Sequence, residues 1–342
     1  MIRYLAHNQI DMPRWDECVA QSPNGMVYVW SWYLDVVHPG WEALVDDDYK
    51  AVMPLTGNKK FGINYLFQPF FTQKFGVFGK NEVTEEKIVE FLEASPEKFK
   101  FAEFRINKSY GNTRNHRPHA TYQVENHRNI ELSLSQEYSV LSENYHPNTK
   151  RNLAKAKKEG LTIVEDTKPS AIIELFRKNK GKEIKKWGDK EYARLLQLVE
   201  TAKNHEKCMV LGVKNTDNQL VAGAFFMISH NKIVFLFSGS DESNKDLHGL
   251  TFLLDFVIER YGKSGKILDF EGSDNDGLAR FYKGFADFVC YHLPDALEVF
   301  AETHPVLLNV DISKFSDVVV DNGVRSTEFY YFYHGLLKFI SF

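Results

Sequence analysis

The sequence predicts an α+β chain made of two successive halves, each a mixed sheet flanked by helices. Three observations predict it. At 342 residues the chain is too long for one ordinary mixed core and comfortable for two of roughly 150 residues each. The order strand, helices, meandering strands, helix, strand runs through it twice. A polar stretch, Glu137–Pro147, separates the two runs. The expected division is residues 1–140, residues 141–292, and a tail, 293–342, that packs on the first half.

In the first half, Ile2–Ala6 reads as a strand and Pro13–Gln21 as a helix, with Asp11 as its cap and Pro13 in its first turn. Ser22-Pro23-Asn24-Gly25 is a turn, and a second helix spans Trp30–Val37. Trp41–Asp46 and Tyr49–Pro54 form a hairpin, and Phe61–Phe67 adds a strand. Glu85–Ser95 has Ile88, Phe91 and Leu92 on one helical face. Phe101–Ile106 and Gln123–Leu134 alternate as strands.

The middle of the chain is helical. Asn148–Glu159 ends at Gly160, and Ser170–Lys178 and Glu191–Asn204 follow. A second sheet is expected from Lys207–Val213, Gln219–Ile228 and Lys232–Ser238, with Ser229-His230-Asn231 as a turn. Lys245–Gly262 reads as one helix, Lys266–Phe270 as a strand and Asp276–Gly284 as a helix. Gly223 suits a bulge or a close approach in its strand.

Composition narrows the function classes. With 43% hydrophobic and 26% charged residues, the chain has a globular composition. The N-terminus shows no secretory pattern, and no run is long enough to cross a bilayer. The three cysteines are far apart and suit a reducing compartment, so the cytoplasm is expected. The net charge of −4 argues against DNA binding. Local basicity at Lys150, Arg151, Lys155, Lys157 and Lys158 points instead to an anionic ligand, or to a solvated helix face. No nucleotide-loop motif is present, and His116, His119 and His127 lack metal-ligand spacing, so no metal is expected.

Two stretches carry a family resemblance. The first runs from Trp15-Asp16 through Tyr28 and Ser31-Trp32-Tyr33-Leu34-Asp35 to Gln68-Pro69-Phe70-Phe71-Thr72-Gln73. The second joins His146-Pro147-Asn148-Thr149-Lys150-Arg151-Asn152-Leu153 to Phe237-Ser238-Gly239-Ser240, Asp269-Phe270-Glu271-Gly272-Ser273 and Phe281-Tyr282-Lys283-Gly284-Phe285. This order, over about residues 1–290, resembles the double-GNAT N-acyltransferase-like proteins related to the bacterial FemABX peptidoglycan aminoacyltransferases. The resemblance implies two tandem GNAT-like domains, with the reacting groups in the second. It also implies formation of an amide between an activated acyl donor and an acceptor amine.

The residues leave their own alternatives. In a strand Asp269 and Glu271 share a face; as neighbouring carboxylates they suit a general base, or else they pair with basic residues. The resemblance places Lys283 beside the acyl-transfer centre as an oxyanion stabiliser and Tyr282 as proton donor to the leaving group, against an exposed lysine and a core tyrosine. It assigns substrate recognition to Lys150, Arg151 and Asn152. A standard acetyl-CoA loop would be Gln/Arg-x-x-Gly-x-Gly/Ala; the matching Asp246-Leu247-His248-Gly249-Leu250-Thr251 keeps only Gly249 and Thr251 as candidate phosphate contacts. Acyl-CoA is the expected donor and a small-molecule or peptide amine the acceptor. Aminoacyl-tRNA is the second donor, and a non-catalytic binding protein the third reading.

Overall fold

A computed structural model describes residues 1–105, 121–165, 167–184, 186–272, 274–285 and 290–300. The expectations for His116 and His119, and most of the tail 293–342, lie outside them. The first half contains β1 (Arg3–Leu5), α1 (Met12–Gln21), α2 (Ser31–Val37), β2 (Glu42–Val45), β3 (Ala51–Leu55), β4 (Gly57–Lys60), β5 (Ile63–Leu66), β6 (Phe78–Gly79), α3 (Glu85–Glu93), β7 (Phe99–Phe104) and β8 (Thr121–Ser133). The second contains α4 (Tyr138–Glu143), α5 (Pro147–Lys158), β9 (Thr162–Glu165), α6 (Pro169–Lys178), α7 (Asp189–Asn204), β10 (Cys208–Lys214), β11 (Leu220–Ser229), β12 (Lys232–Ser240), α8 (Gly249–Tyr261), β13 (Ile267–Gly272), α9 (Asp276–Tyr282) and β14 (Cys290–Phe300).

The same unit is built twice. β5 and β7 run parallel with α3 between them in sequence, and β12 and β13 run parallel with α8 between them. A parallel pair needs such a crossover, because the chain must return to the end it started from. The fold class is therefore α+β with one unit repeated in tandem, the arrangement that the resemblance to GNAT-like domains implied. One small sheet has the order β1-β2-β3-β6, and a ten-stranded sheet runs β4-β5-β7-β14-β8-β13-β12-β11-β10-β9. The large sheet thus continues across the division at residue 140. β8, from the first half, pairs antiparallel with β13. β14 returns from the second half to lie between β7 and β8.

Alternation along β11 and β12 divides the core. Phe225, Met227, Val234 and Leu236 face the first half together with α6 and α7, while Ala224, Phe226, Ile233 and Phe235 face α5, α8 and α9. A bulge interrupts this pairing: Phe225 lies opposite Phe237 and Phe226 opposite Phe235, leaving Leu236 as the extra residue.

The glycine row across this sheet admits α6. Gly212 pairs with Gly223, and Gly223 with Gly239. A Cβ on Gly223 would lie 2.6 Å from the Ile172 side chain, and one on Gly239 would lie 2.6 Å from the Ile172 carbonyl oxygen. Close helix approach, rather than a bulge at Gly223 itself, explains that residue. Gly239→Ala forces the added methyl against the backbone of α6, and overpacking of this kind costs about 1–3 kcal/mol. Urea denaturation should show that loss as a lower midpoint with an unchanged slope.

The expected helix Lys245–Gly262 is shorter than its apolar pattern. His248 adopts the left-handed conformation (φ 55°) and ends a 3-10 segment, so α8 begins at Gly249. No helix among the described residues is long and apolar enough to cross a membrane.

Candidate active site

β12 and β13 pair over three positions, Lys232 with Ile267, Ile233 with Leu268, and Val234 with Asp269. Beyond Val234 the bulged β12 continues to Ser240 and β13 to Gly272 without further pairing between them. The strands therefore part at their C-terminal ends, where α8 also starts. Open α/β sheets place ligands at such ends, because helix N-termini and strand-end loops converge there.

Asp269 and Glu271 arm the divergence on the side of the first half. Asp269 is completely buried. Its Oδ2 receives Lys74 Nζ at 3.1 Å and Lys232 Nζ at 3.2 Å; its Oδ1 receives Asn129 Nδ2 at 3.1 Å and the Glu271 N–H at 2.9 Å. Burial alone would push this carboxyl up, but Lys74, Lys232 and these hydrogen bonds hold it well below the usual carboxylate range. Glu131 completes the cluster by accepting Lys232 Nζ at 2.5 Å, Asn129 Nδ2 at 3.1 Å and Lys74 Nζ at 3.5 Å. Two lysines and two carboxylates thus neutralise one another.

Glu271 is different. Its backbone is left-handed (φ 62°), unusual for a residue with a side chain. Its Oε1 accepts a hydrogen bond from the hydroxyl of Tyr28, a fully buried residue of the first half. Burial pushes the carboxyl up to about 8; the Tyr28 bond opposes this, the charge of Asp269 adds to it, and Lys74 and Arg105 pull it down. The two carboxylates, indistinguishable by strand position, therefore have different chemistry. Asp269 is a fixed anion. Glu271 exchanges a proton near neutral pH. The expectation of Asp269 as a base is corrected accordingly: paired with two lysines, it has no tendency to take a proton.

A cleft of about 680 Å³ opens among the start of α5, the first turn of α8, and α9. Asn152, Thr251, Arg128, Arg280 and Lys283 line it. Helix geometry leaves the first amides of α8 without intrahelical partners, and no side chain among the described residues caps that end. His248, at that end, is pushed down by burial and then by the charge of Lys155, with Asp246 opposing and Arg151 adding. Basic groups of α5 therefore act at the start of α8. Gly284 abuts α5 so closely that a Cβ would lie 2.3 Å from Thr149 Oγ1, and its carbonyl accepts the His146 N–H at 2.9 Å.

The cleft thus brings together Asn152, Thr251 and Lys283. The other expected residues lie elsewhere. Lys150 is exposed and donates to the Glu143 carbonyl at 2.7 Å, and Arg151 is exposed and donates to Asn148 Oδ1 at 2.5 Å. Gly249 is buried against β11, where a Cβ would meet Ala222 Cβ at 2.8 Å, so packing accounts for it. Tyr282 is buried with its ring stacked on Phe270 at 4.9 Å, the core reading. α9 packs on the Phe270 face of β13, and neither Asp269 nor Glu271 lines the cleft that Lys283 helps form.

Sequence reasoning missed Tyr28, Lys74, Asn129, Glu131 and Lys232 as parts of the centre. A signal existed for Lys74, a lone lysine immediately before the apolar run Phe75-Gly76-Val77-Phe78, since a buried lysine needs a partner. Among the described residues no three His, Cys, Asp or Glu side chains assemble as metal ligands.

No protein-family model matches this chain, and no curated protein sequence does. Solved structures do. FemX superposes with a TM-score of 0.67 at 12% identity, over 90% of this chain and 99% of FemX. A conserved protein of unknown function from Bacteroides thetaiotaomicron superposes with a TM-score of 0.58 at 11% identity, over 88% of this chain and all of the other. The chain has the fold of FemX along nearly its whole length.

Proposed function

We propose that this protein forms an amide, transferring an activated acyl group to an acceptor amine. The observation that carries the reading is Glu271: a partly buried carboxyl, raised to about 8, at the strand divergence of a FemX-like fold. A base titrating near working pH gives the best compromise between being deprotonated and being strong enough to accept a proton.

The acceptor nitrogen attacks the acyl carbonyl carbon and the carbonyl π pair moves to oxygen. Glu271 takes the ammonium proton. Collapse re-forms the carbonyl, breaks the bond to the donor's sulfur or oxygen, and leaves an amide; the departing atom is protonated from solvent. The donor's phosphate-bearing part lies in the cleft, where the amides of α8, Thr251 and Asn152 offer hydrogen bonds and Arg128, Arg280 and Lys283 supply positive charge. Lys283 then acts chiefly in donor binding, so Lys283→Ala should raise KM for the donor more than it lowers kcat.

Thermal-shift titration with acetyl-CoA, longer acyl-CoAs and aminoacylated tRNA tests the reading and separates the donors. The true donor at a hundredfold excess over Kd stabilises the fold by about 2.7 kcal/mol. Product amide should then appear with that donor and an amine. Stabilisation without product would leave a binding protein and overturn catalysis. With the right donor, kcat/KM should rise with pH through about 8 as Glu271 loses its proton.

A further inference from the structure

The base of the proposed reaction is held from the other half of the chain. Glu271 belongs to β13, but Tyr28 belongs to a 3-10 turn, Val27–Val29, 243 residues earlier. A left-handed non-glycine residue persists only where its surroundings over-determine it. Here the Glu271 N–H is fixed on Asp269 and its carboxyl on Tyr28. Tyr28 is itself set edge-on against Tyr33, with ring centres 5.7 Å apart, and the Tyr33 hydroxyl donates to the Phe71 carbonyl. Trp15 Nε1 donates to the Val29 carbonyl at 2.7 Å and fixes the turn from behind.

The same turn is gripped by the second half. The β11–β12 hairpin pairs Ser229 with Lys232, so His230 and Asn231 form a two-residue loop. His230 has φ 54°, a conformation that this turn position normally gives to glycine. A histidine there pays a conformational cost, which points to a use for its ring. That use is visible. Trp30 Nε1 donates to Ser229 Oγ at 3.0 Å, Ser229 Oγ lies 2.8 Å from His230 Nδ1, and His230 Nε2 lies 2.8 Å from the Val19 carbonyl oxygen. The carbonyl can only accept, so Nε2 carries the proton and Nδ1 accepts from Ser229. Every donor in this chain is used once. Burial pushes His230 down, in keeping with its neutral form. The fit is close, since a Cβ on Gly25 would lie 2.1 Å from His230 Nε2. The next residue but one, Lys232, reaches Asp269 and Glu131, so one hairpin holds both the Tyr28 turn and the anion beneath Glu271.

We propose that Tyr28 is the positioning residue of Glu271, and that the Ser229–His230 turn is the clasp that holds Tyr28 in register from the opposite half. The inference rests on Glu271 being the base, but its test does not require turnover. The groups bearing on Glu271 are Tyr28, Asp269, Lys74 and Arg105, with Tyr33 and Tyr282 within electrostatic range. Of these, Tyr28 donates a side-chain hydrogen bond to the Glu271 carboxyl. Because that bond favours the ionised carboxylate, removing it makes the proton harder to remove.

The experiment is carboxyl-carbon NMR titration of Glu271 in the full chain, labelled at glutamate and assigned by loss of the signal in Glu271→Gln. Tyr28→Phe keeps the ring and should move the titration upward by about one pH unit. His230→Ala should move it in the same direction. Gly25→Ala, which drives the ring out of its seat, should match His230→Ala, and the double variant should add nothing. His230→Gln, which restores an N–H toward Val19, should return it toward the wild-type value. An unmoved titration in Tyr28→Phe overturns the positioning role; a shift there but none in His230→Ala or Gly25→Ala overturns the clasp. If the shifts occur and no donor supports transfer, the acyltransferase reading fails while this one stands.

Discussion

Glu271→Gln is expected to abolish transfer while making the protein more stable at alkaline pH. The first effect follows from losing the proton acceptor, worth about 10²–10⁴ in rate for general base catalysis. The second follows from linkage. An unfolded glutamate titrates near 4.3, whereas the folded Glu271 carboxyl is raised to about 8. Between those values the folded state binds more protons than the unfolded one, so stability falls as pH rises through the window. The contribution is fully present below the unfolded value and lost as pH passes the folded one. Each unit of pH removes at most about 1.4 kcal/mol, so pH 5.5 to 8 removes up to about 3 kcal/mol. Glutamine has nearly the same shape, keeps an oxygen for the Tyr28 hydroxyl, and does not titrate. Urea unfolding should therefore show a flatter dependence on pH in the variant, with the gain growing above neutral. Turnover and stability moving in opposite directions is the mark of a group strained for function. A variant that loses activity and stability together at pH 8 would instead make Glu271 a structural residue.

What was legible in the sequence was local. The helix face of Ile88, Phe91 and Leu92, all buried, and the alternation in Asp269-Phe270-Glu271 were readable because periodicity is written into adjacent residues. The tandem arrangement was legible through motif order, and the FemX superposition agrees with it. Pairing between distant segments was not. Nothing in Cys290–Phe300 says that it inserts between β7 and β8 rather than at an edge, because strand partners carry no local mark. The chemistry of the two carboxylates was hidden for the same reason. Lys74 lies 195 residues from Asp269 and Tyr28 lies 243 from Glu271, and these contacts decide which one holds its proton. Gly249 was ambiguous for a different cause: a glycine opening a helix is compatible both with a phosphate and with close packing, and the Ala222 side chain beside it shows that packing by itself requires a glycine there. The break at His248 escaped the apolar pattern, since a single left-handed residue leaves periodicity intact on either side. It nonetheless sets where α8 presents its amides.

Lys74→Met is expected to be among the most destabilising substitutions in the chain. Lys74 is 1% exposed and bridges the first half to Asp269, which is 0% exposed. The methionine fills most of the same volume, so packing is nearly conserved and the effect reports charge. Taking one partner from a buried ion pair leaves the other uncompensated, at about 3–5 kcal/mol. Lys232, 16% exposed and 3.2 Å from the same Asp269 oxygen, remains to share that anion, which places the loss at the lower end of the range. Acid resistance supplies the sharper readout. Asp269 is held below its unfolded value, so the stability it contributes is present above about pH 4 and lost as pH falls through the folded value. Without Lys74 that folded value rises toward the unfolded one, and acid unfolding should begin at higher pH. The double variant Lys74→Met, Asp269→Asn removes the anion as well as its partner. It should recover part of the lost stability at neutral pH, and its acid unfolding should no longer carry the Asp269 transition. If the double variant is as unstable as the sum of the two single ones, then Lys74 and Asp269 are not coupled, and the cluster beneath Glu271 does not act as one unit.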